Sequence, residues 1–181
     1  MEVSVYCDNR KTLSYPSLRN FVKIEITRLI LERFGQVDAI AGVARELIPQ
    51  GALVADALNL PFVYVRSTPK DHGLENLIEG ELRPGMKVVV VEDLISTGGS
   101  SLKAVEAIRR DGCEVIGMVA AYTYGFPVAE KAFKDAKVPL VTLTNYEAVM
   151  EVALRTGYIE EEDVETLNEW RKDPAHWESG K

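Results

Sequence analysis

Two adjacent carboxylates, Glu92 and Asp93, directly follow four β-branched residues, Val88 to Val91. Two residues further on begins a loop of small hydroxyl residues and glycines, Ser96-Thr97-Gly98-Gly99-Ser100-Ser101. An apolar run of this kind, with Gly85 before it, reads as a strand buried on both faces of a parallel sheet. Leu102, Val105, Ala107 and Ile108 then recur at helical spacing. The carboxylates therefore sit at the carboxyl end of a strand, and the loop sits at a helix N-terminus. Ligands of open α/β sheets bind in that position. Backbone N–H groups of a glycine-containing loop entering a helix favour a phosphate.

Glu92 and Asp93 beside such a cradle would repel a bare polyphosphate. They suit adjacent hydroxyls, which donate hydrogen bonds to ionised carboxylates. A phosphorylated ribose has both features, a 5′-phosphate for the loop and 2′- and 3′-hydroxyls for the carboxylates. The competing reading is a strand-to-helix turn in which Asp93 and the serines only cap a helix. The loop taken alone leaves both open.

A second group is basic. Arg66, Lys70 and His72 fall within seven residues of an otherwise acidic chain. A diphosphate leaving group needs positive charge around oxygens that become more negative in the transition state. Groups carried on a loop can arrive after substrate and exclude water. Residues 67–80 lack periodicity and contain Pro69, Gly73 and Gly80, so they read as a long mobile loop, a length that is usually functional. The alternative is a solvated polar loop.

These groups need a scaffold, and the pattern supplies one. Residues 1–7 alternate as a short strand, and Asp8-Asn9-Arg10-Lys11 is a polar turn. Residues 16–34 predict a helix, with Pro16 in its first turn, Leu18, Phe21, Val22, Ile26, Leu29 and Ile30 as its apolar positions, and Gly35 as its C-cap. A buried strand follows at 39–44, a helix at 50–58 and a strand at 62–66. Beyond the central strand and its helix come a strand at 115–122, a helix at 128–136 and a strand at 139–143. Asn145 caps a helix to about residue 155, with Gly157 behind it. A last helix over 160–172 has acidic residues in its first turn and basic ones in its last, as the macrodipole favours. Alternation of strand and helix predicts an α/β fold with a parallel sheet flanked by helices on both faces.

Composition bounds the answer. A chain of 181 residues with 46% hydrophobic residues fits one domain, 1–181, with a sizeable core. The formal charge is −7 and no Lys/Arg run exceeds two residues, which argues against a nucleic-acid partner. Cys7 and Cys113 are far apart, without metal spacing, and read as reduced thiols of a cytoplasmic protein. No apolar run reaches 18 residues, so no membrane partner is expected. No signal peptide, metal-ligand cluster, Ser-His-Asp arrangement or Walker loop is visible. His176, Trp170 and Trp177 read as packing or surface groups.

Glu92-Asp93-Leu94-Ile95-Ser96-Thr97-Gly98-Gly99-Ser100 resembles the phosphoribosyl-diphosphate-binding motif of the type I phosphoribosyltransferases. The Arg66-x-x-x-Lys70-x-His72-Gly73 pattern and the segment Tyr6-Cys7-Asp8-Asn9-Arg10-Lys11 are similar to those of orotate phosphoribosyltransferases, more than to purine or uracil enzymes. The resemblance spans nearly the whole chain. It implies a type I phosphoribosyltransferase fold, a Rossmann-like parallel sheet flanked by helices. It implies a glycosyltransferase of pyrimidine biosynthesis, which transfers phosphoribosyl from 5-phosphoribosyl 1-diphosphate to orotate and gives orotidine 5′-phosphate and diphosphate. By the same resemblance, residues 92–100 bind substrate, and Arg66, Lys70, His72 and Asp93 act in catalysis. Mg²⁺ is held mainly through substrate oxygens, and a homodimer shares its active sites through the basic loop. Tyr122-Thr123-Tyr124-Gly125-Phe126 borders the base pocket or packs as an aromatic rim.

Three departures accompany the resemblance. The N-terminal segment that helps form a hood over the base in family members is largely missing, so the chain reads as truncated. Ser67 stands where many members carry a further Lys. Residues 45–47 read Arg-Glu-Leu, with Leu47 where a glycine is expected and Glu46 bringing a carboxylate toward the diphosphate. Arg45 either offsets that charge or forms an exposed ion pair. These departures imply weaker binding of diphosphate than of 5′-phosphate. They also keep open a catalytically impaired or engineered scaffold or binding protein on the same fold.

Overall fold

The computed structural model describes residues 7–44, 47–68, 77–172 and 174. The expected first strand therefore falls almost wholly outside the described residues, and Cys7 itself lies in no strand. The polar turn is a short 3₁₀ helix, Asn9–Ser14. Then come α1 (Pro16–Arg33), β1 (Ala39–Val43), α2 (Ile48–Leu58), β2 (Phe62–Val65), β3 (Ile78–Glu79), β4 (Lys87–Ile95), α3 (Gly99–Arg110), β5 (Glu114–Thr123), α4 (Pro127–Asp135), β6 (Leu140–Asn145), α5 (Tyr146–Arg155) and α6 (Glu161–Lys172).

The six strands form one sheet in the order β3-β2-β1-β4-β5-β6. All neighbours are parallel except β3, which runs antiparallel to β2 with Val65 opposite Ile78. The end of the expected 67–80 loop is thus an edge strand. Two residues of pairing are too short to show as a period-2 pattern. β4 is also longer than its valine run. Pairing with β5 continues from Glu92 opposite Ala120 to Ile95 opposite Thr123, so both carboxylates lie within the strand.

Alternation along β4 divides the core. Val89 and Val91 pack with α1 and α2, while Val88 and Val90 pack with α3 and α4. All four are fully buried, as a central parallel strand requires. Strand order reverses between β1 and β4, and the helices that follow these two strands lie on opposite faces. The crevice outside their carboxyl ends is the switch point at which such sheets bind ligands.

Helix α1 differs from its expected description in two ways. Leu18 and Phe21 are 50% and 62% exposed, and only Ile26, Leu29 and Ile30 of the apolar positions are buried. Gly35 does not supply a left-handed cap. Phe34 is the C-cap, with an extended backbone, and its N–H donates to the Ile30 carbonyl at 3.0 Å. Its ring lies over Gly117, where a built Cβ would come within 2.0 Å of Phe34 Cε1. The helix ends because that ring docks on β5. Asn145 caps α5 as expected, its side chain accepting from the Ala148 N–H at 2.9 Å.

Candidate active site

Glu92 and Asp93 both border one niche but differ in burial. Glu92 is 6% exposed; the Ser101 hydroxyl donates to its Oε2 at 2.9 Å and the Asp93 N–H to its Oε1 at 3.2 Å. Burial is the main cause that pushes its carboxyl up to about 8, with the nearby Asp93 charge adding to it. Asp93 is half-buried. It faces a niche lined by Asn9, Gln50 and Leu47 among others. The Asn9 amide donates to the Asp93 carbonyl at 2.9 Å and so ties the 3₁₀ helix to the end of β4. Sequence reading passed over Asn9 and Ser101. Each lies in a segment that was singled out, but nothing in spacing shows a side chain reaching across the sheet end.

The loop after β4 leads straight into α3. Gly98 is the N-cap, in the left-handed region at φ 79°, and no side chain caps the helix. The first N–H groups of α3 thus lack a side-chain acceptor, which leaves them for an anion. Thr97, Gly99 and Ser100 are exposed and Ser96 is half-buried. Leu94 packs against the aromatic cluster and Ile95 is fully buried, so these two members of the motif are committed to the interior by their side chains. The capping alternative is not what the structure contains, because the N-cap is a glycine.

Gly98 yields a first prediction. A left-handed alanine costs about 1–2 kcal/mol, and its Cβ would lie 2.7 Å from Phe133 Cε2 in the core. Gly98→Ala is expected to lower both the melting temperature and ribose 5-phosphate affinity. Gly99→Ala, whose Cβ would meet only Thr97 Oγ1 at 4.0 Å, is the control. It should keep stability within about 0.5 kcal/mol. Thermal melts with and without ligand compare them.

Arg66 follows β2, and its N–H donates to the Leu77 carbonyl at 2.8 Å. Its guanidinium pairs with Glu79 at 3.4 Å and borders a cleft of about 360 Å³ with Ala44, Ile48 and Tyr64. The structure thus brings Arg66 to the end of β1. A partly exposed pair of this kind is worth about 0–1 kcal/mol, so an anion in the cleft can compete for the guanidinium. Lys70, His72, Arg45 and Glu46 lie outside the described residues. Leu47 is the N-cap of α2, with φ −98° and ψ 3°, and is 2% exposed in the core beside α1. That backbone suits any residue, so the position demands no glycine on conformational grounds.

Tyr122-Thr123-Tyr124-Gly125-Phe126 packs inside the protein. Tyr124 stacks on Phe126 at 5.3 Å and meets Trp170 edge-on at 5.7 Å. Arg171 lies over the Tyr146 ring at 4.7 Å and completes the contact between α6 and this cluster. His176 and Trp177 lie outside the described residues.

Residues 18–155 match the phosphoribosyl transferase domain family. An orotate phosphoribosyltransferase of Bacteroides fragilis is 93% identical over 97% of this chain and 83% of its own length. One of Porphyromonas gingivalis is 70% identical over 96% of the chain and 82% of its own. The chain belongs to the orotate phosphoribosyltransferases. Among solved structures, the orotate phosphoribosyltransferase of Aeropyrum pernix matches with TM-score 0.72 and 28% identity, over 82% of this chain and 83% of that one. The orotate phosphoribosyltransferase of Mycobacterium tuberculosis matches with TM-score 0.69 and 26% identity, over 81% and 83%. In orotate phosphoribosyltransferase terms, the carboxylate pair and the uncapped helix of this chain sit at the switch point of the fold.

Among the described residues no three or more His, Cys, Asp or Glu side chains form a metal cluster. A hard oxygen donor of the kind Mg²⁺ takes is nevertheless present in half-buried Asp93. One such carboxylate fits a cation that takes most of its ligands from substrate. No helix among the described residues is long and apolar enough to cross a membrane.

Proposed function

We propose that this chain transfers phosphoribosyl from 5-phosphoribosyl 1-diphosphate to orotate, giving orotidine 5′-phosphate and diphosphate. The observation that carries this reading is Asp93 beside a helix capped only by left-handed Gly98, in a chain 93% identical to an orotate phosphoribosyltransferase. The C1′–oxygen bond to diphosphate breaks, its electron pair leaving with the diphosphate, and an orotate ring nitrogen, its N–H proton lost to solvent, supplies the pair for the new C1′–N bond. Backbone N–H groups of residues 96–100 hold the 5′-phosphate. Asp93 accepts hydrogen bonds from the ribose hydroxyls and lies near the positive charge that develops on the sugar, with Glu92 behind it bonded to Ser101. Arg66, with Lys70 and His72, stabilises the departing diphosphate. Mg²⁺, held mainly through substrate oxygens, would supply charge neutralisation for diphosphate and ribose oxygens, and Asp93 would be the carboxylate available beside it. The test is consumption of orotate with phosphoribosyl diphosphate and Mg²⁺. Turnover that disappears in Asp93→Ala is the expected result, and no turnover by the unmodified chain overturns the reading.

A second reading, a catalytically impaired or engineered binding protein on this fold, rests on the departure of residues 45–47 from the family pattern, in which Leu47 itself serves the core. Tight ribose 5-phosphate binding without turnover would select that reading.

We also assign a symmetric homodimer, in which the cations of residues 66–72 act on the neighbouring site. Two-fold dimers are the commonest assembly. Sedimentation velocity at micromolar concentration is expected to give a dimer, and a monomer would remove the shared site. The free thiols of Cys7 and Cys113 suit the reducing cytoplasm.

A further inference from the structure

Gln50 is the third residue of α2 and is 7% exposed, yet neither its Nε2 nor its Oε1 has a hydrogen-bond partner. A buried amide left in that state is costly, about 1–3 kcal/mol for a group. A glutamine at this helical position ordinarily reaches back to the N-cap N–H. Here the Leu47 N–H already donates to the Val43 carbonyl at 3.1 Å, so that role is taken. The side chain instead lines a niche of about 20 Å³ with Asn9, Glu92 and Asp93, against apolar walls from Leu13, Val22 and Ile26. One water needs about 10–15 Å³ measured this way, together with two or more polar partners. The niche meets both conditions.

We propose that Gln50 is a positioning residue, holding one water that bridges its amide to the Asp93 carboxylate. Nε2 donates to the water, and the water donates to Asp93. The carboxylate is thereby fixed in the direction from which it accepts the ribose hydroxyls. The Asn9 amide, bonded to the Asp93 carbonyl, fixes the main chain of the same residue. This proposal rests on the phosphoribosyl reading of the site, and it adds a residue from the helix after β1, which no motif marks.

Two ligands separate positioning from mere packing. Inorganic phosphate has no ribose hydroxyls and leaves the carboxylates unengaged, while ribose 5-phosphate engages them. Gln50→Met keeps length and volume but removes both polar atoms. It is expected to weaken ribose 5-phosphate about tenfold, the loss of roughly one hydrogen bond, and to leave phosphate affinity and melting temperature unchanged. Equal weakening of both ligands, or an unchanged ribose 5-phosphate affinity, overturns the proposal. Should the variant not fold, high-resolution diffraction of the unmodified protein decides. A water within hydrogen-bond distance of both the Gln50 amide and the Asp93 carboxylate supports the assignment, and a dry niche overturns it. If the unmodified protein binds neither ligand, the phosphoribosyl reading fails, and diffraction still decides the role of Gln50.

Discussion

Leu47→Gly is expected to destabilise the protein by about 2–5 kcal/mol, the range for emptying a buried leucine site. The side chain is 2% exposed and packs with Ile26, Ile40, Val54 and Val91 in the core between the sheet and α1 and α2. Restoring the glycine of the family pattern thus removes a core residue, although the pattern alone presents it as a repair. Leu47→Ala should cost toward the lower end, because part of the side chain remains. Urea denaturation of the three proteins measures the order, parent above alanine above glycine. A glycine variant as stable as its parent would mean that Leu47 does not fill the core. The expected selectivity of the 45–47 segment is a separate matter. Diphosphate binding should be weakened relative to 5′-phosphate binding by the loop it uses, so exchange of Glu46 for a small residue is the cleaner change. Calorimetry with phosphoribosyl diphosphate and ribose 5-phosphate should show improvement for the first ligand only. Equal response by both would remove this segment from the diphosphate site.

Glu92 carries the second large effect. Its carboxyl is pushed from an ordinary 4.5 to about 8 in the folded protein, mainly by burial. The folded state therefore binds the proton more tightly than the unfolded chain does. The stabilisation that this represents is fully present below about pH 4.5 and is lost as pH rises through 8. A displacement of this size corresponds to several kcal/mol. Glu92→Gln mimics the neutral form and keeps an acceptor for the Asp93 N–H and a partner for Ser101. Its melting temperature should hold between pH 6 and 9, chosen as the scan range, while that of the parent falls relative to it. Parallel melting curves across that range would show that Glu92 ionises without penalty, and the assignment of its burial would fail.

The sequence by itself determined the parts whose signal is local. Val88 to Val91 can only be a strand covered on both faces, and the carboxylates and glycines after it had to fall at that strand's end. Asn145 before α5 could be read as a cap because a side chain and an N–H three residues on meet within one turn. The motif itself, with Arg66 at the end of its strand, was legible for the same reason.

Tertiary structure decided what depends on partners distant in sequence. Asp93 and Glu92 are adjacent and chemically alike, yet Glu92 is buried with its carboxyl bonded to Ser101 of α3 while Asp93 stays half-exposed, because α3 covers the one and not the other. The end of α1 was set by Phe34 docking on Gly117, 83 residues away, and not by the glycine next in line. Phe21 and Leu18 fit a helical apolar pattern, but no described element covers them, so they stay exposed. Leu47 looked like a lost glycine from its neighbours in sequence. In space it is a core residue, because the turn into α2 aims its side chain beneath the sheet end. Gln50 carries no signal in sequence, since a glutamine in the first turn of a helix is ordinary. Only the enclosed position of its amide, beside the carboxylate at the end of β4, gives it a role.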